Sequence, residues 1–112
     1  MSPDKTARIR ELNDQLRKDP YGGHGRIMMT ASVNALGTHF IVKMLVAVAA
    51  FDAFPTGDDP YREHDFGAFE VDGTKLYFKI DYYDLDQRYG SEDPSDTTVT
   101  TRVMTAMLPE DY

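Results

Sequence analysis

Apolar residues fall at Ile9, Leu12 and Leu16, the i, i+3 and i+7 positions of a helix with one narrow buried stripe. Around them stand Arg8, Arg10, Glu11, Asp14, Arg17 and Lys18, which predicts a surface helix over Pro3–Lys18 touching the body along one edge. Ser2 is placed to cap it and Pro3 suits its first position. DPYGGHG, residues 19–25, breaks it. From Gly25 to Leu36 the period becomes two, with Ile27, Met29, Ala31 and Val33 alternating with Met28, Thr30, Ser32 and Asn34. This reads as a strand, with a helix as the alternative because Met and Ala are poor strand formers. Gly37 and Thr38 open a second helix reaching about Phe54. It is apolar almost all round, with His39 and Lys43 on a wet side, as suits a helix laid across a sheet. Pro55 ends it, and TGDDPYREH is an exposed loop.

The sharpest pattern is FGAFEVDGTKLYFKIDYYD, a β-hairpin around Asp72-Gly73. A two-residue turn sets Val71 opposite Thr74, Glu70 opposite Lys75, Phe69 opposite Leu76, Ala68 opposite Tyr77 and Gly67 opposite Phe78. Leu76, Phe78, Ile80 and Tyr82 then share one face, and Lys75, Tyr77, Lys79, Asp81 and Tyr83 the other. Turn chemistry, alternation and the Glu70–Lys75 charge pairing agree. Leu85–Asp96 follows as a loop, and TTVTTRVMTAML, residues 97–108, as the last strand before Pro109. The order α-β-α-β-β-β predicts an α+β domain: an antiparallel three- to four-stranded sheet with the second helix on one face and the first at an edge or end. The Lys75/Tyr77/Lys79/Tyr83 face is then either open or covered by the first helix.

At 112 residues the chain is one domain, residues 1–112. It has no cysteine, which excludes disulfides, thiolate metal sites and cysteine nucleophiles. The N-terminus has no apolar leader segment, so a cytoplasmic protein is expected. The longest apolar run, Phe40–Phe54, is interrupted by Lys43 and Asp52 and falls short of the ~20 residues of a membrane span. Net charge is −7, unevenly placed: residues 1–50 carry seven Lys/Arg against four Asp/Glu, and residues 51–112 five against fifteen. That acidic half disfavours direct binding of nucleic acid and suits a basic protein partner, or serves only to keep the chain soluble.

Candidate chemistry is sparse. His24, His39 and His64 have no metal-ligand spacing. Asp84-x-Asp86 opens like a calcium loop, but Arg88 holds the fifth position, Gly90 falls one place late and Ser95 stands twelfth. No acid precedes a lysine by two positions as a nuclease strand requires, GGHG lacks the lysine of a phosphate loop, and no serine sits in a nucleophile elbow. No metal and no cofactor is called for. Extending the hairpin register sets His64 opposite Asp81, a pair that suits a general base and its orienting carboxylate, or a structural contact at a sheet end. A small hydrolase-type enzyme would use His64 with Asp65 or Asp81. A binding surface would use Glu63, His64, Tyr77, Asp81, Tyr83, Asp84, Asp86 and Tyr89.

Taken in order, IRELNDQLR, AVAAFDAF, EHDFGAFEV, KIDYYDLDQRYGSEDPSD and TTRVMTAML resemble the domain-of-unknown-function family numbered 3768, over roughly residues 7–112. The resemblance implies small bacterial proteins often carried on plasmids, prophages and other mobile DNA. It implies no activity, cofactor or catalytic residue. The expectation is a non-catalytic module that docks on a basic, nucleic-acid-binding surface of a protein partner, in its sharpest form an anti-CRISPR or anti-restriction inhibitor. The alternatives are the His64 enzyme and a domain whose tyrosine face pairs with a second copy.

Overall fold

The computed structural model describes residues 3–22 and 25–112, so the expected Ser2 cap and His24 lie outside the described residues. The elements are α1 (Pro3–Lys18), β1 (Gly25–Met29), α2 (Ala31–Asn34), α3 (Thr38–Ala50), β2 (Phe66–Val71), β3 (Thr74–Tyr83), β4 (Thr101–Met107) and a closing 3-10 turn (Pro109–Asp111). The strands make one sheet in the order β1-β4-β3-β2. The class is the α+β expected. β3 runs antiparallel to β2 and β4, but β1 is parallel to β4, so the sheet is mixed. Alternation of apolar residues reads the same in either direction, which is why it did not reveal this pairing.

The hairpin has the register that its turn dictates, from Val71 opposite Thr74 to Gly67 opposite Phe78. Asp72 and Gly73 both take positive φ, 52° and 80°, as a two-residue turn between twisted strands requires. Gly67 is required by packing: a Cβ there would stand 2.3 Å from the Phe78 ring and 2.7 Å from that of Phe51.

Three boundaries differ from the sequence reading, each for a local reason. The strand expected over Gly25–Leu36 ends at Met29, because Thr30 turns into an N-cap whose hydroxyl accepts the Val33 N–H and starts α2. Val33 is therefore buried from a helix, not a strand. The last strand loses residues 97–100, because Asp96 accepts from both the backbone and the hydroxyl of Thr98, at 2.9 and 2.6 Å. α3 stops at Ala50, not near Phe54; Phe51 is extended, its N–H donates to the Val48 carbonyl, and Arg17 of α1 donates to the Val48 and Phe51 carbonyls at that helix end.

α1 does not sit at an edge of the sheet. Ile9, Leu12 and Leu16 are fully buried, and Leu16 joins Val33, Met44, Val48, Leu76, Phe78, Met104 and Ala106 in one core. Both long helices therefore lie on the Leu76/Phe78/Ile80 face. The other face, carrying Tyr77, Lys79, Asp81 and Tyr83 beside Val103, Thr105 and Met107, has neither long helix on it, although Val103 and Met107 are buried there and the Tyr112 ring packs on Tyr77. Among the described residues no helix is long and apolar enough to cross a membrane.

Candidate functional site

Under the helices lies a polar network. Arg102 stands opposite Tyr82 on the inward face and is fully buried. Its Nε donates to Asn13 Oδ1 at 2.6 Å, its Nη2 donates to the Pro94 carbonyl, and its guanidinium lies 5.0 Å from the Tyr82 ring centre. Asn13 Nδ2 donates to the Tyr82 hydroxyl at 2.8 Å and to the Glu63 carbonyl at 2.9 Å. The Tyr82 hydroxyl donates to Glu63 Oε1 at 2.8 Å, and burial raises its pKa so far that it stays a donor. Burial likewise pulls the Arg102 pKa down, against the favourable charge interactions with Tyr82 and Glu63. This chain of contacts ties α1, β3, β4 and the loops at residues 63 and 94 together. Asn13 and Arg102 at its centre are fully buried, and Tyr82, Glu63 and Pro94 around them are partly so, which suits a role in holding the fold.

His64 belongs to the same side of the sheet. The chain takes left-handed φ at Arg62 and His64, 58° at each, and swings the imidazole towards α1. Nδ1 lies 2.8 Å from Asp14 Oδ1 and Nε2 3.8 Å from Asp59 Oδ2. The His64 backbone N–H donates to Asp59 Oδ1 at 3.0 Å, and the ring stacks on Phe54 with centroids 3.8 Å apart. The expected His64–Asp81 pair is therefore not formed, because regular pairing begins only at Phe66 and does not extend to His64. Asp81 pairs with Lys79 at 3.1 Å instead. With both ring nitrogens facing carboxylates and one ring face covered, His64 clamps α1 to the loop before β2. No described hydrogen bond or ion pair joins His64 to Asp65 or Asp81, the carboxylates expected beside it.

On the open face a groove of about 860 Å³ runs between the loop at residues 57–61, the start of β2, β3 and the C-terminal turn. Its walls carry Asp58, Tyr61, Asp65, Asp81, Tyr83 and Tyr112, and Lys79 is the one cation among its described lining residues. The rim at the closing turn is built: Thr30 and Ser32 hydroxyls donate to Asp111 at 2.7 and 3.0 Å, and Leu108 N–H donates to it at 3.0 Å. These bonds, the Thr30 hydroxyl first, hold the Asp111 carboxyl below the usual carboxylate range. The Tyr112 ring then meets Tyr77 and Phe66 edge-on, at 5.9 and 6.1 Å. Asp65 is different. It is half-buried, and no described cation lies within ion-pairing distance of it. Burial raises its pKa, and the charges of Glu63, Asp59 and Asp81 add to the rise.

The expected binding set is thus divided. Tyr77, Asp81 and Tyr83 lie on the open face. Asp84, Asp86 and Tyr89 form the tight turn beyond it, where Asp84 Oδ1 accepts the Arg88 N–H at 3.0 Å and Tyr89 is largely exposed. Glu63 and His64 belong to the covered side. Sequence reasoning missed Asp58, Tyr61, Asp111 and Tyr112, which only loop geometry brings to the groove. It also missed the buried Asn13, Arg17 and Arg102. Arg102 could have been found, since the register of β4 puts it among inward apolar residues. Among the described residues no group of three or more His, Asp or Glu is arranged to hold a metal ion.

Fold and site together define a small two-layer α+β domain, helices on one face of a mixed four-stranded sheet and an acidic, tyrosine-lined groove on the other. The family model described as "Protein of unknown function (DUF3768)" matches residues 29–111, and the chain belongs to that family. The match begins at the end of β1, so α1 lies outside it. No curated protein and no solved structure matches the chain.

Proposed function

We propose that the protein is a non-catalytic binding module that docks on a basic surface of another protein through the open face of its sheet. The observation that carries this reading is the groove, whose described lining holds Asp58, Asp65, Asp81 and Asp111 against one cation, Lys79, with tyrosines among the walls. Carboxylates supply attraction and a fast encounter, and tyrosines supply contact area at low entropic cost. A net charge of −7 adds steering at long range. The partner best matched is an enzyme whose basic surface serves nucleic acid, because such a surface is shaped to receive closely spaced negative charge. Its narrowest form is inhibition of a restriction or CRISPR nuclease, in keeping with the mobile-DNA setting that the family resemblance implies.

The test is binding of the purified chain to purified nucleases of both kinds at low and high salt, read alongside DNA cleavage. The expected result is association that weakens with salt and blocks cleavage, and that is lost in the D58N/D81N double variant. Association indifferent to salt and to that double substitution would overturn the reading.

A further inference from the structure

We infer that the outer face of α3 pairs two copies of this chain, antiparallel about a two-fold axis at Val46. A surface helix normally turns charged and polar residues to water. α3 buries Met44 and Val48 in the core, yet its outward stripe is Val42, Val46 and Ala50, with Val42 56% and Val46 65% exposed. The polar residues of the helix, Thr38, His39 and Lys43, all lie in its first half, so its second half is apolar all round. A helix of that kind is normally covered on every side. The stripe is complementary to itself. Antiparallel pairing centred on Val46 sets Val42 of each copy against Ala50 of the other, so a branched side chain meets a methyl group, and Val46 meets its own equivalent. It also brings the His39–Lys43 end of one helix beside the other's Asp52, exposed just past the helix end, and opposes the two helix dipoles. Lys43 keeps its 2.9 Å pair with Asp72 at the rim. A membrane surface fits the stripe less well, because an interfacial helix carries basic residues along its polar face and this chain has a net charge of −7. A helix of 13 residues spans about 20 Å and supplies less than the roughly 800 Å² per partner of a standard stable complex. The dimer is therefore reversible, with a dissociation constant in the micromolar range. The groove lies on the other face of the sheet and stays free in both copies, so the pairing does not depend on what docks there.

The experiment is sedimentation velocity of the full chain from about 5 μM to about 1 mM. The parent is expected to pass from monomer to dimer over that range, and to keep the dimer in about 0.5 M salt, because apolar contact is not screened. V46E and V46K alter a side chain that is exposed in the single copy, so each should melt with the parent at the lowest concentration. Each should also stay monomeric throughout, because like charges would meet across the axis. An equimolar mixture of the two should associate again, because the charges that meet are then opposite. A parent that stays monomeric at every concentration would overturn the pairing and leave the stripe to a different partner. A dimer that V46E leaves intact, a dimer that salt dissociates, or a mixture that stays monomeric would each overturn it as well.

Discussion

The two faces of the sheet carry polar residues of the same kinds and use them in opposite ways. On the covered face Arg102, Asn13, Tyr82 and Glu63 form a continuous run of hydrogen bonds and Arg17 closes the end of α3, with Arg102 Nη1 and Arg17 Nε the buried atoms left without a described partner. At the groove, just before β2, Asp65 stands half-buried and in no ion pair with a described cation. Polar groups engaged inside the fold hold it together. A polar group left in a groove at a net cost to the fold is available for something else. The acidic segment near residue 93, which looks as promising in sequence, falls on the fold-holding side of this division. Asp93 accepts from Ser95 and Lys5, and Asp96 accepts from Thr98.

The largest effect should come from R102A, which removes charge-assisted hydrogen bonds and opens a cavity beneath α1. A loss of about 3–5 kcal/mol in urea denaturation is expected, although Arg102 itself does not line the groove. N13A should cost about 1–3 kcal/mol by the same measurement, because it strands Arg102 Nε and the Glu63 carbonyl, while the Tyr82 hydroxyl keeps its bond to Glu63 Oε1. Acid titration of stability should come next. The pKa values of Asp93 and Asp96 are lowered, chiefly by Ser95 and Thr98 hydroxyls. Their contribution is therefore present above the ordinary carboxylate pKa and lost as pH falls through the lowered values. Substituting both by Asn should flatten the acid limb of a melting-temperature profile. The smallest effect, of opposite sign, belongs to D65N. A carboxylate with a raised pKa subtracts from stability at neutral pH and ceases to do so as pH falls through that value, so D65N should melt no lower than the parent at pH 7. A clear loss of stability in D65N would erase the contrast between the faces.

How far the sequence foretold this depends on the range of the forces involved. The hairpin was legible to the residue pair, because a two-residue turn fixes register and alternation fixes the face. So were the α1 stripe and the α+β class. The parallel β1–β4 pairing was not, since strand direction leaves no mark on a period-two pattern. Thr30, Thr98 and Val33 misled for one reason: β-branched residues suit strands, yet threonine hydroxyls also cap and turn the chain. Of the site, Tyr77, Asp81 and Tyr83 were placed on the right face by register alone. His64 was misplaced because two left-handed residues take the chain out of register. Asp58, Tyr61 and Tyr112 join the groove only through loop packing, which no local pattern encodes.

The most direct test of the division between the faces is a backbone-amide NMR titration of the chain with a short synthetic peptide of alternating Lys and Gly, a stand-in for the basic surface of the proposed partner. The account predicts shifts confined to residues 57–61, the Asp65–Phe66 corner, 79–83 and the turn at 105–112, with the 91–98 segment and α1 unmoved. Shifts centred on Asp93 and Asp96, or on the buried network around Arg102, would contradict it.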